Sequence, residues 1–140
     1  MLDADEPEVL LGHDRGPNAT EAALYALGSC LSATFMLYAS NRGIKVRELE
    51  IDLEGALDVR GILGISDSLR NGFQTINVTF RVEADATPEQ IAELVELAQQ
   101  RSPVFDIVTH ATPVYVTIAP PPMPRGLNPD VSDMTAEQGA

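Results

Sequence analysis

Residues 17–42 read Pro-Asn-Ala-Thr-Glu-Ala-Ala-Leu-Tyr-Ala-Leu-Gly-Ser-Cys-Leu-Ser-Ala-Thr-Phe-Met-Leu-Tyr-Ala-Ser-Asn-Arg. No other stretch carries so long a helical signal or is so apolar, and it holds the only cysteine, Cys30. Thr20 is placed to cap the helix start, its hydroxyl accepting from a free first-turn N–H. Glu21 suits the positive end of the helix dipole. Gly43 can take the left-handed conformation that stops a helix, with Arg42 just before it. Between these signals nearly every position is small or apolar, so the helix needs cover on almost all sides. The concave face of a sheet, or a second subunit, would supply it.

A membrane span needs roughly 20 apolar residues, and the run from Ala22 to Ala39 is shorter and rich in Gly, Ser and Thr. A signal peptide would begin with basic residues at the N-terminus, whereas this segment follows acidic ones. The reading is a buried soluble helix, with no membrane partner.

Before the helix, Val9-Leu10-Leu11 has the length of a short strand, and residues 12–17 form a turn-rich lead. After it, Lys45 to Glu54 alternates Leu49, Ile51 and Leu53 with Glu48, Glu50, Asp52 and Glu54, the pattern of a strand with one wet face. Residues 55–71 read as a long loop with one helical turn. Phe73 to Glu83 reads as a second strand, with Ile76, Val78, Phe80 and Val82 on its inner face. Thr87-Pro88-Glu89-Gln90 starts a helix with a threonine cap, proline at the first position and a returning glutamine. Ile91, Leu94, Val95 and Ala98 then make one apolar stripe over residues 88–101. Ser102-Pro103 ends that helix and caps a short one. Val114, Val116 and Ile118 alternate in an expected last strand, Pro113 to Ile118. From Ala119 on, a Pro-rich and acidic end reads as a disordered tail.

The plan is α+β, a curved antiparallel sheet wrapped around a long central helix, with residues 1–118 as one domain and 119–140 as tail. With 140 residues, one domain is the expectation. The net charge of −12 and pI near 4.3 argue against nucleic acid and anionic membrane, which need a basic face. One cysteine forms no intrachain disulfide, so nothing points to a secreted, stapled fold, and the cytoplasm is the expected location. One thiol and two scattered histidines, His13 and His110, give no ligand spacing for a metal. No cofactor is expected.

Cys30 by itself has two readings: a small buried thiol, or a nucleophile that needs a cationic neighbour, because a mid-helix position gives little dipole help. Glu21 is ordinary first-turn chemistry or a site residue. Ser102 is a helix cap in either case.

Taken together, Gly16-Pro17-Asn18-Ala19-Thr20-Glu21, Ala26-Leu27-Gly28-Ser29-Cys30-Leu31, Gly72-Phe73-Gln74, Thr87-Pro88-Glu89-Gln90 and Ser102-Pro103-Val104 closely resemble the OsmC/Ohr family, in order and spacing, from about Gly12 to Ile118. The resemblance implies an intertwined homodimer, each central helix buried between two sheets. It implies a helix cysteine, matched by Cys30, that attacks organic or hydrogen peroxide and becomes a sulfenic acid. Glu21 falls near the family's helix-start glutamate, which helps hold an active-site arginine. Ser102 falls where the family places its resolving cysteine.

Two departures follow. Serine forms no disulfide, so turnover would need an external thiol reductant. Only 16 residues precede Pro17, so the N-terminal strands and their arginine are expected to be missing, or the start truncated. Arg15, Arg60, Arg70 or a partner side chain is left to take that arginine's place. The expectation is an oxidative-stress protein, a one-cysteine thiol peroxidase, acting as a homodimer. The alternative is a non-catalytic dimer that binds a small apolar ligand or serves a structural role.

Overall fold

The computed structural model describes residues 4–120. A 3-10 turn, Glu8–Leu10, precedes α1 (Ala19–Asn41), β1 (Val46–Ala56), α2 (Val59–Ile62), β2 (Thr75–Ala84), α3 (Pro88–Arg101) and α4 (Pro103–Thr109). The class is α+β, as the sequence predicts, with β1 and β2 in one antiparallel sheet.

The start of α1 is one residue pair away from the expected cap. Asn18, not Thr20, is the N-cap: its Oδ1 accepts from the Thr20 and Glu21 N–H groups, each at 2.9 Å, and from the Thr20 hydroxyl at 2.7 Å. The Glu21 carboxylate accepts in return from Asn18 N–H at 2.9 Å, completing a capping box. At the other end Gly43 has φ +67°. Its N–H donates to the Ser40 carbonyl, and Ile44 N–H donates to that of Ala39. This is the Schellman closure that only a residue free of Cβ strain enters readily.

β1 and β2 pair with Leu49 opposite Val82, Ile51 opposite Phe80 and Leu53 opposite Val78. One face of these pairs packs on α1, so apolar residues alternate inward and charged ones outward along both strands. Arg81 joins Asp52 and Glu50 across the outer face. The core is Leu27, Leu31, Phe35 and Ala39 of α1 with Leu94 and Ala98 of α3. Phe35 stacks at a tilt on Phe80, ring centroids 5.9 Å apart. Gly28 lets α1 approach the sheet, since a Cβ there would lie 2.6 Å from a Leu53 methyl. The caps of α3 (Thr87 with Gln90) and α4 (Ser102) are formed as the sequence predicts.

Three expectations need correction. The Val9–Leu11 strand is replaced by the 3-10 turn: Pro7 precedes it, Leu11 follows with φ 68°, and the Asp5 carboxylate accepts from His13 and Arg15 N–H groups, curling the segment. Pro113–Ile118 is no strand: it joins neither β1 nor β2, and Val114, Tyr115, Val116 and Ile118 are each at least 79% exposed. A strand exists through a neighbour's hydrogen bonds, and the described residues offer the segment none. The third concerns α1, whose 23 residues are long and apolar enough to cross a bilayer by length and composition. Here it packs Leu27, Leu31 and Phe35 into the core, while Tyr25, Met36 and Leu37 and much of the rest stay uncovered. Of the expected tail, residues 121–140 lie outside the described residues.

Candidate functional site

Cys30 sits mid-way along α1 and is half-buried. The Thr34 hydroxyl donates to its carbonyl at 2.8 Å, a local bond that helix residues four apart form readily. Nine residues, about two and a half turns, separate Cys30 from Glu21, so the two project from opposite sides of α1, about 13 Å apart along its axis. One chain therefore does not bring them together. Glu21 is exposed and spends one carboxylate oxygen on the capping box.

The side of α1 that carries Cys30 has a regular composition. Ala19, Ala23, Ala26, Cys30, Ala33 and Leu37 recur at alternating spacings of four and three, and all except half-buried Cys30 are exposed. That spacing is a straight seam along a helix. The opposite side carries Leu27, Leu31, Phe35 and Ala39, none more than 2% exposed.

Ser102 is 1% exposed at the junction of α3 and α4, both packed on α1. Its Oγ accepts from Phe105 N–H at 3.2 Å, so the residue is spent as a cap. Of the arginines left open by the sequence, Arg60 is held by Asp58. Its Nε and Nη2 donate to the two carboxylate oxygens at 3.0 and 2.6 Å. That grip, with the Arg60 N–H also donating, pulls the Asp58 carboxyl down to about 2. Arg15 and Arg70 are exposed. Among the described residues no ion pair or hydrogen bond joins any of the three to Cys30.

A cavity of about 390 Å³ lies between α3 and α4, against Phe105, Asp106 and His110, away from α1. At the start of α1 itself a cavity of about 380 Å³ is walled by Pro7, Leu10, Leu24, Leu57, Val59 and Phe73, with Asn18 and Glu21 at its polar side. Apolar walls with a few placed polar groups are what small-molecule sites have. Sequence reasoning found Glu21 but missed Asn18, although Asn-x-x-Glu is a capping-box pattern. It named Phe73 only as a strand start and part of a motif and missed Leu57, because both reach the cavity from distant parts of the chain. Among the described residues no group of His, Cys, Asp or Glu is arranged to hold a metal.

A long apolar helix packed on a two-stranded antiparallel sheet and on two capped helices makes an α+β protein. A family model described as OsmC-like protein matches residues 12–117, and the chain belongs to that family. No curated protein matches it in sequence. Solved structures similar to it include an OsmC-like protein from Mycoplasma pneumoniae (19% identity, TM-score 0.64, covering 76% of this chain and 70% of that one). An OsmC-like protein of unknown function from Vibrio cholerae is similar too (18%, 0.54, 76% and 69%). So is an organic hydroperoxide resistance protein OsmC from Legionella pneumophila (18%, 0.53, 76% and 72%). At these identities the likeness establishes the fold.

Proposed function

We propose that this chain is a one-cysteine thiol peroxidase of the OsmC/Ohr type, acting in the cytoplasm as a homodimer. The observation that carries the reading is Cys30 itself, the lone thiol, half-buried in the middle of α1 and within the residues that match the family. The Cys30 thiolate attacks one peroxide oxygen; the O–O bond breaks, the other oxygen leaves as alcohol or water after taking a proton, and Cys30 becomes a sulfenic acid. An external thiol then attacks that sulfur, releasing water and forming a mixed disulfide. A second external thiol frees Cys30 and carries away the disulfide. Ser102 has no part in these steps, lacking sulfur and serving as a buried cap.

The uncovered side of α1 supports the homodimer. Its seam of small residues carries no charge, whereas the chain as a whole carries −12, so this is the surface on which two copies meet with least repulsion. Closing over the seam would desolvate Cys30 and admit a residue from the partner.

Adding an organic hydroperoxide to the purified protein, with a sulfenic-acid trap and intact mass, tests the reading: one trap molecule on Cys30 is expected. A Cys30 that stays a thiol in excess peroxide ends it. Glu21→Gln keeps the capping box, since glutamine caps equally well. Slower oxidation with unchanged stability would make the charge of Glu21 part of the site; an unchanged rate leaves it a cap.

The cavity at the start of α1 favours a second reading, a dimer without catalysis that holds a small apolar molecule. Wild-type and Cys30→Ser proteins would then protect cells from peroxide equally, and a lost phenotype in the variant would count against it.

A further inference from the structure

The cavity between α3 and α4 lies outside everything the proposed peroxidase uses: neither Cys30 nor Glu21 lines it. Its shape comes from a joint of one residue. α3 ends at Arg101 and α4 begins at Pro103, so Ser102 alone turns the chain, buried and extended (φ −78°, ψ 117°). The last turns of α3 and one side of α4 are left facing each other across about 390 Å³, within the range of small-molecule sites. Glu96, Gln99 and Gln100, at helical spacing on α3, meet Phe105, Asp106 and His110 of α4 and its end.

The hydrogen bonds already made decide what this lining can still do. The Gln100 amide nitrogen donates to Glu96 Oε1 at 3.1 Å, and that of Gln99 to the Val95 carbonyl at 3.3 Å. Both glutamines thus spend nitrogen on their own helix and keep the amide oxygen to accept, and Glu96 keeps Oε2. The Thr109 hydroxyl donates its one proton to the Phe105 carbonyl at 2.7 Å, so toward His110 Nδ1, 3.1 Å away, it accepts. Asp106 Oδ1, also 3.1 Å from Nδ1, is an acceptor too. Nδ1 therefore carries the hydrogen, and the neutral ring keeps Nε2 as an acceptor. Apart from one spare amide N–H on each glutamine, every polar group left over accepts, and no Lys or Arg lines the cavity. The half-buried Phe105 ring adds an apolar surface that favours cations.

We propose that this cavity binds a small organic cation carrying several N–H donors on an apolar body, a primary amine or an amidine. Its donors go to Glu96, the glutamine oxygens and His110 Nε2, and its body lies on Phe105. A chain of net charge −12 draws such a cation from solution. The site shares no residue with the peroxidase chemistry and is independent of it.

Titrating the full chain with benzylamine, followed by backbone amide NMR, tests this. Saturating shifts are expected at Gln99, Gln100, Phe105, Asp106 and His110, with a Kd of about 1 mM, in keeping with so small a ligand. Benzyl alcohol, the same body without the charge, should bind about tenfold more weakly, and benzoate more weakly still. Glu96→Gln should weaken benzylamine about tenfold, whereas Glu50→Gln, on the outer face of β1, should leave its affinity unchanged. Benzyl alcohol or benzoate binding as tightly as benzylamine overturns the recognition of charge, and so does an unchanged affinity in Glu96→Gln. Shifts that never saturate, or that follow the acidic face of β1 instead, overturn the site. The three ligands on wild-type protein decide by themselves, so a misfolded variant does not blunt the test.

Discussion

The two long sides of α1 are both apolar, yet only one is buried. Leu27, Leu31 and Phe35 are at most 2% exposed, while on the far side Leu37 is 57% exposed, among alanines and Cys30. Polarity does not separate the sides; apart from Leu37 and Ala39, side-chain size does. The sheet and α3 take the large residues, which give up most water-exposed area and fill the most space. The small residues are left on the side where close approach of another backbone is possible. The difference teaches that a helix apolar all round can still be directional.

Matched truncations probe this difference most strongly. Phe35→Ala should cost about 3–5 kcal/mol in a urea titration, the usual loss for an emptied aromatic site. Leu37→Ala, in dilute protein, should stay within about 0.5 kcal/mol and weaken self-association instead. Equal losses for the two would erase the distinction between the sides.

Enlargement gives the next largest effect. Gly28→Val forces its methyls onto Leu53 and should cost about 1–3 kcal/mol. Ala26→Val, on the exposed side, should leave the urea midpoint almost unchanged. A smaller change is expected at the helix start, which belongs to neither side. Asn18→Ala removes the acceptor of two backbone N–H groups and should cost about 1 kcal/mol by thermal unfolding.

The smallest effect lies at α2, outside the helix. The Arg60 side chain, then its N–H, depress the Asp58 carboxyl from 3.8 to about 2. A depressed carboxylate contributes stability above its unfolded value and loses it as pH falls from near 4 toward 2. Asp58 keeps part of its side chain in solvent and Arg60 most of its own, so screening keeps the change in stability slight. A carboxyl NMR titration should give a midpoint near 2, and Arg60→Gln should raise it toward the ordinary value. An unmoved midpoint would detach Asp58 from Arg60.

Much of this fold was legible in the chain. Thr87-Pro88-Glu89-Gln90 and Ser102-Pro103 announced their helices, and Gly43 announced the end of α1. Leu49 to Leu53 and Ile76 to Val82 showed their strands by alternation. Asn18 was passed over because Thr20, two residues on, has an equally suitable hydroxyl, and only the geometry of the turn decides between them. Val114 to Ile118 alternates as well as β1 does, but alternation states which side would face a core, not whether a neighbouring strand is there. Of the candidate site, Cys30 and Glu21 were visible as residue types, while their placement on opposite sides of one helix follows from its period.

The sequence alone determined where α3 and α4 begin and where α1 ends, which face of each strand turns inward, and that the lone thiol lies mid-helix. Those outcomes depend on groups within about four residues of one another, where hydrogen bonds and side-chain spacing act directly. Only the tertiary structure decided which side of α1 is buried, that Arg60 is held by Asp58, and that residues 113–118 pair with no strand among the described residues. Burial and pairing depend on what stands opposite, and what stands opposite is set by contacts between residues far apart in the chain.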